Sequence, residues 1–360
     1  MRPFGRSFLP GPVDIHPDVL QATLEPMYFT FSPRMKALLA KLQPAMQEIF
    51  GTRETVLQAT TAATGLMEAS IRSGVRDRVL VVTSGFFGEL YARVAEGCGK
   101  EVIRASVPEG QVLQPDQLER FLEGPEVDAV ALVHSDTSTG ALAPLPELAR
   151  VVRSRPDVLL LVDGVTSVGA MAIETDHWGV DFLFTGSQKA LALPPGLAFG
   201  VASPRYLARA ESIDDRGWYL SIPNLVTAAR KNLPLTTPAL GVVHALERQL
   251  ERIAGQGGPG PRYARHAAMA ARVAEWVDQR SDVTLLAPAP TRSPAVSVLR
   301  MPAGRPSGPV VSAMEERGWL LATGLPPLGE AVLRVGHMGD LELEHLDAML
   351  QDLDGVLASS

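Results

Sequence analysis

Val158-Leu159-Leu160-Leu161-Val162-Asp163 is a run of five apolar residues closed by an acid, and its reading decides the fold. A short, unbroken apolar run suits a strand covered on both faces. Comparable runs flank it. Val79–Val82 ends at Thr83-Ser84-Gly85, and Val102–Val107 and Val127–Val133 follow. Phe182–Phe184 and Leu197–Val201 complete the series. Helix-length amphipathic stretches separate them, around Leu90–Glu96, Asp116–Leu122 and Leu145–Arg153. Strands alternating with helices predict an α/β protein with a mostly parallel sheet sandwiched by helices. In such sheets ligands sit beyond the carboxyl ends of the strands, so chemistry is expected just after each run.

The pattern changes downstream. Ala239–Ile253 is helical, and Gly255-Gln256-Gly257-Gly258-Pro259-Gly260-Pro261 follows it. That stretch matches G-x-G-x-x-G in form, but it follows a helix and contains a proline. A dinucleotide fingerprint needs a strand before it and a helix after it, so the stretch reads as a linker. Beyond it come a helix near Arg262–Gln279, strands near Val283–Ala287 and Val296–Leu299, a helix near Gly308–Arg317, a strand near Leu333–Val335 and a helix near Leu341–Leu353. This is the pattern of a smaller α+β domain of about 100 residues.

Composition narrows the function. The chain has 360 residues, 46% of them apolar and 20% charged, enough for a sizeable core. Its 33 basic and 40 acidic side chains give a net charge of −7, which argues against a nucleic-acid partner. Cys98 is the single cysteine, so an internal disulfide and a multi-cysteine zinc site are excluded. The N-terminal residues MRPFGRSFLPGP lack the apolar core of a signal peptide, and no run reaches the ~18 apolar residues of a membrane span. A soluble, cytoplasmic protein is expected.

Four strand ends carry candidate chemistry. Asp163 closes a buried strand, where a carboxylate is costly unless a cation meets it. A protonated pyridine nitrogen would serve, and the acid would keep it protonated as an electron sink; a helix cap or a magnesium ligand fits the residue equally. Lys189, in Phe184-Thr185-Gly186-Ser187-Gln188-Lys189-Ala190-Leu191, follows a short strand and precedes Pro194-Pro195-Gly196. A confined lysine has a depressed pKa and forms Schiff bases, although a single lysine is by default a surface residue. Its pairing with Asp163, 26 residues earlier and on a neighbouring strand, favours the first role. Ala59-Thr60-Thr61-Ala62-Ala63-Thr64-Gly65 opens a helix whose free N–H groups, with the Thr64 hydroxyl, suit a phosphate or a plain cap. Phe87, in Thr83-Ser84-Gly85-Phe86-Phe87-Gly88, is placed to stack on a flat ring, whereas Phe86 reads as core.

Two further groups join these. His134-Ser135-Asp136-Thr137-Ser138-Thr139-Gly140 is a hydroxyl-rich turn that could hold a phenolic oxygen or simply bond to itself. Arg334 lies in the apolar strand Leu333-Arg334-Val335-Gly336-His337-Met338-Gly339. A strand arginine turned inward wants a planar anion, either a substrate carboxylate or an internal acid.

With Pro10-Gly11-Pro12, Thr137-Ser138-Thr139-Gly140, Asp163–Gly169, Gly186–Leu191 and Arg334–Gly339 taken together, the chain resembles the class V aminotransferases of pyridoxal-phosphate fold type I. Within them it is most similar to the alanine–glyoxylate and serine–glyoxylate (serine–pyruvate) enzymes, from about Phe8 to Leu353. The resemblance implies a large domain of residues 16–254, and a small one made of residues 1–15 and 255–360. It implies that Lys189 holds pyridoxal 5′-phosphate as a Schiff base and moves the proton between substrate and cofactor. Asp163 would pair with the pyridinium, and Phe87 and Val165 would pack on the ring. Ala62, Ala63, Thr64 and Gln188 would hold the phosphate, and Thr137 would lie beside the ring. Arg334 and Gly11 would meet the substrate. Thr236, in Leu235-Thr236-Thr237-Pro238, matches a threonine that completes the phosphate site of the partner subunit, which implies a homodimer with shared active sites.

The implied reaction is a ping-pong transfer from serine or alanine to glyoxylate or pyruvate. A 2-aminoethylphosphonate–pyruvate transaminase, a lyase on the same cofactor and a non-catalytic binding protein are the competing readings. The sequence departs from the family pattern at several points. Relatives often have a G-S-G-T phosphate loop where this chain has Thr61-Ala62-Ala63-Thr64, and a His-Arg pair where it has Phe29-Thr30-Phe31. They often have tryptophan at Phe87 and tyrosine at Leu233. These changes bear on the substrate, not on the cofactor.

Overall fold

The computed structural model describes residues 3–359. Its large sheet has seven strands: β1 (Leu57–Ala59), β2 (Arg78–Thr83), β3 (Glu101–Ser106), β4 (Ala129–Val133), β5 (Leu159–Asp163), β6 (Phe182–Gly186) and β7 (Ala198–Ala202). Their order across the sheet is β1-β7-β6-β5-β4-β2-β3. From β6 to β3 neighbouring strands are parallel. Strand β7 runs antiparallel to β6, and β1 antiparallel to β7. The sheet is therefore mixed at one edge. The reversal follows from the short return through Pro194-Pro195-Gly196, because a parallel partner would need a crossover of a dozen or more residues.

Alternation along each strand sends side chains to two separate cores. Leu80, Val82, Val130, Leu132, Leu160, Val162 and Leu183 face one side. There they meet α1 (Pro33–Phe50), which the sequence reading did not single out. Ser32 caps that helix by accepting a bond from the Met35 N–H at 3.3 Å. Val79, Val81, Ala129, Ala131, Leu159, Leu161, Phe182 and Phe184 face the other side. They pack on α2 (Ala63–Gly74) and α3 (Phe86–Gly97). Helices α4 (Pro115–Leu122) and α5 (Leu145–Arg153) cover the first face, while α6 (Pro204–Glu211) and α7 (Ile222–Arg230) cover the second.

Helix α8 (Leu240–Gly255) leads to α9 (Pro259–Asp278) through residues 256–258 alone. The expected linker is thus shorter than its glycine content implied. Pro259 is the first residue of α9, where its missing N–H costs nothing. A second sheet follows, with strands β8 (Thr284–Leu285), β9 (Val296–Arg300), β10 (Ala322–Thr323) and β11 (Val332–Gly336) in the order β8-β9-β11-β10, all antiparallel. Helices α9, α10 (Ser307–Glu316) and α11 (Leu343–Ser359) pack on it. Phe8 joins this third core, and Ser7 bridges to Leu320, so the N-terminal residues sit with the second sheet.

One buried ion pair ties the two parts together. Arg262 of α9 pairs with Asp340, and its Nη2 donates to the Ala190 carbonyl at 2.6 Å. Gln249 Nε2 donates to the other Asp340 oxygen at 2.9 Å. Replacing Asp340 by alanine leaves a guanidinium buried without its counter-charge. The expected cost is about 3–5 kcal/mol, read as a lowered denaturation midpoint with unchanged slope.

Among the described residues no helix is long and apolar enough to cross a membrane.

Candidate active site

The carboxyl ends of β4, β5 and β6 open on a cavity of about 520 Å³. It brings together Gly11, Ala62, Ala63, Thr64, Phe87, Thr137, Asp163, Val165, Gln188 and Lys189, ten of the positions singled out from sequence. Register explains much of this. Val133, Asp163 and Phe184 are cross-strand neighbours, so Asp163 and the turn carrying Lys189 leave the sheet side by side.

Lys189 is buried in the turn after β6. That turn is fixed by Ser187, whose Oγ donates to the Pro194 carbonyl at 2.7 Å and whose N–H donates to the Leu197 carbonyl at 2.9 Å. Ala192 closes the turn at φ 51°, a left-handed conformation that a residue with a Cβ adopts only under tertiary constraint. The Lys189 amine donates to the Pro10 carbonyl. Gly11 lies against it at φ 119°, and a Cβ there would sit 2.8 Å from Nζ. Only glycine lets this loop approach the amine so closely.

Burial pushes the Lys189 amine down to about 8; nearby Arg334 lowers it further, while Asp163 and Asp136 oppose the shift. Burial likewise pushes the Asp163 carboxyl up to about 7. The Val165 N–H, donating to Oδ1 at 2.8 Å, and Lys189 pull it back, while Asp136 adds to the rise. Among the described residues no other side chain hydrogen-bonds to Asp163, and its carboxylate lines the cavity.

The N-terminus of α2 lines another wall. Ala62 is its cap residue and supplies no side-chain bond; its carbonyl takes the Gly65 N–H at 2.9 Å, which leaves the Ala63 and Thr64 N–H groups for an anion. Gly186 lets this turn come close, since a Cβ on Gly186 would lie 3.2 Å from that of Ala63. Phe87 is half-buried, and its ring centroid lies 6.0 Å from Nζ of Lys189. Phe86 is half-buried as well, beneath the Arg93 guanidinium, and is not the core residue expected. It sits at the first turn of α3, its ring edge-on to that of Phe87 with centroids 5.3 Å apart.

Two predicted residues lie outside the cavity lining. Arg334 is 9% exposed and sits between β9 and β10, opposite Val298 and Ala322. Its Nε donates to the Thr323 carbonyl at 2.7 Å, and it forms no ion pair among the described residues. It is nevertheless close enough to depress the Lys189 amine. Thr236 lines a separate small cleft with Thr60, Tyr219 and Leu220.

These features match one family. The model for aminotransferase class V matches residues 32–307. The chain is a class V aminotransferase. Among its relatives is an L-aspartate–glyoxylate aminotransferase of Paracoccus denitrificans, 30% identical over 93% of this chain and 86% of that one. A Synechococcus protein named soluble hydrogenase, small subunit, is 30% identical over 97% of this chain and 92% of its own. The alanine–glyoxylate aminotransferase structure from Nostoc sp. is 30% identical, with a TM-score of 0.93, covering 99% of this chain and 96% of that one. The fold is that of the pyridoxal-phosphate enzymes of fold type I.

The aminotransferase cavity also holds residues that sequence reasoning passed over. Ser135 and Thr166 contribute hydroxyls, and Met67, Leu90 and Pro195 make its walls apolar. Ser135 and Thr166 stand within motifs already singled out, and their position beside a strand end was the available signal. Met67 and Leu90 carry only the signature of helix core residues.

Proposed function

We propose that this aminotransferase moves the amino group of a small monocarboxylic amino acid, serine or alanine, to a 2-oxo acid such as glyoxylate or pyruvate. Pyridoxal phosphate is the cofactor in this reading. The residues present fit it: a buried amine, a buried carboxylate, an uncapped helix N-terminus and a half-buried aromatic ring around one cavity. The cofactor supplies an aldehyde that takes up an amine, and a ring that accepts the electron pair released at the substrate Cα. Lys189 holds it and carries the proton. Asp163 keeps a proton on the ring nitrogen. Phe87 and Val165 pack on the ring, Thr137 lies beside it, and Ala62, Ala63, Thr64 and Gln188 receive the phosphate.

The observation that carries the substrate reading is Arg334, a buried guanidinium without an ion pair among the described residues. A buried cation of this kind needs an anion, and a carboxylate matches its fork. The cavity lining itself contains a single basic side chain, Lys189, so a second acidic group on the donor finds no partner there. This favours serine or alanine over aspartate. The glyoxylate in the names of the Paracoccus and Nostoc enzymes supports the acceptor.

The test is a panel of donors and acceptors on coenzyme-loaded protein. Alanine or serine should bleach the yellow absorbance and glyoxylate or pyruvate should restore it. Faster bleaching by aspartate or 2-aminoethylphosphonate would overturn the donor assignment. Release of ammonia without an oxo acid would overturn the transfer. Arg334→Ala should raise KM for the donor by about 30- to 1000-fold, with a smaller change in kcat. It should also move the Lys189 amine above 8, because Arg334 is one of the groups that depresses it.

A homodimer belongs to the same reading. Leu24, Met27, Phe29 and Phe31 are 45–72% exposed within one short segment, an apolar surface suited to a second copy of this chain. Thr236, away from its own cavity, would complete the partner's phosphate site. The domain division at residues 16–254 is supported by the separate cores of the two sheets.

A further inference from the structure

Asp136 has no part in the chemistry above, yet it is 1% exposed and lies within the charge field of the site. A buried carboxylate must be held by donors. Those of Asp136 come from two places. Its Oδ1 accepts from the N–H and the hydroxyl of Ser138, at 2.8 and 2.6 Å. Its Oδ2 accepts from the Phe87 N–H at 3.2 Å, and the Gly88 N–H adds to the same carboxylate. Ser138 in turn accepts at Oγ from the Phe86 N–H at 2.9 Å.

The first turn of α3 is thus capped from outside its own chain segment. Its cap residue, Gly85, has no side chain to supply a bond. Gly85 is also the only residue type that fits, since a Cβ there would lie 2.6 Å from Oδ2 of Asp136 and 2.7 Å from Oγ of Ser138. A helix start normally finds its acceptors within its own sequence. Here two buried side chains some fifty residues away provide them, and the residue they grip is Phe87.

We propose that Asp136 is a positioning residue: by holding the backbone of Phe87 and Gly88, with Ser138 as its brace, it sets the place of the Phe87 ring over the Lys189 site. The position of that ring is determined by the strand-end turn, not by the packing of the ring alone. This rests on the reading of the cavity as a pyridoxal-phosphate site.

The test uses the full chain, first freed of coenzyme and then titrated with pyridoxal phosphate. It compares Asp136→Asn, Phe87→Ala and the double variant. An asparagine keeps the shape but presents one acceptor and one donor to a ring of donors. Asp136→Asn is expected to raise the coenzyme dissociation constant about tenfold and to reduce the visible circular dichroism per bound coenzyme by half or more. Phe87→Ala should do the same, and the double variant should lose little beyond either single one. Wild-type dissociation constant and dichroism in Asp136→Asn, or fully additive losses in the double variant, would overturn the proposal. Should Asp136→Asn fail to fold, Gly85→Ala and Ser138→Ala displace the same cap, and the same two readings decide. Absence of coenzyme binding in the wild-type protein would refute the cofactor reading itself, a distinct outcome.

Discussion

Lys189→Ala is expected to lose turnover by about 10^4-fold or more, together with the yellow absorbance of the coenzyme-loaded protein. The amine is the one buried primary amine in the cavity, and its burial holds it at about 8, where it titrates close to neutrality. An ordinary surface lysine stays a cation across that range and cannot attack or exchange protons. Removing the amine leaves the surrounding turn its own hydrogen bonds, from Ser187 to Pro194 and Leu197, so the fold should persist. The comparison is therefore between two folded proteins, checked by circular dichroism and thermal melting. Activity within tenfold of wild type would remove Lys189 from its role and the reaction with it.

Asp163→Asn should lower kcat by about 10³-fold, since it removes a fixed charge aimed at a cationic ring nitrogen. The amide is close in shape and can still accept the Val165 N–H, so the effect isolates the charge. The same variant carries a stability signature. In the coenzyme-free protein the Asp163 carboxyl is pushed up to about 7, whereas an unfolded aspartate titrates near 4. Between those values the folded state binds the extra proton. The contribution of Asp163 to stability is then fully present below about 4 and is lost as pH rises through about 7. Asp163→Asn has no such titration. Its melting temperature relative to wild type should climb from pH 4 to 7 and level off above. A flat difference would mean that the carboxylate is already satisfied without coenzyme, contrary to its assigned place.

The departures from the sequence reading have identifiable causes. A mostly parallel sheet is legible in the strand series, but which strand reverses is not, because an apolar run shows burial and not direction. The antiparallel pairing comes from the length of the return through Pro194–Gly196, which a pattern of residues does not weigh. The glycine-rich stretch after α8 looked like a linker throughout, yet Pro259, Gly260 and Pro261 form the first turn of α9. Proline is tolerated at that position and only tertiary packing tells it from a loop. Phe86 and Phe87 are adjacent and chemically identical, and their different surroundings arise from the orientation of α3. The cap from Asp136 was invisible for a related reason. Its partner is 49 residues away, and nothing in a hydroxyl-rich turn says which backbone it will hold.

What the amino-acid sequence determined alone is the strand series, the acid at the end of one run and the lysine after the next. These are local facts: an unbroken apolar run must be buried, and a charge at its end must be met by another charge. What only the tertiary structure decided is who meets whom. Arg334 has no ion pair among the described residues, Gly11 lies against the Lys189 amine, and Thr236 stands apart from the cavity. Each depends on distances between segments far apart in the chain, and those distances are set by the packing of the two sheets, which no local pattern encodes.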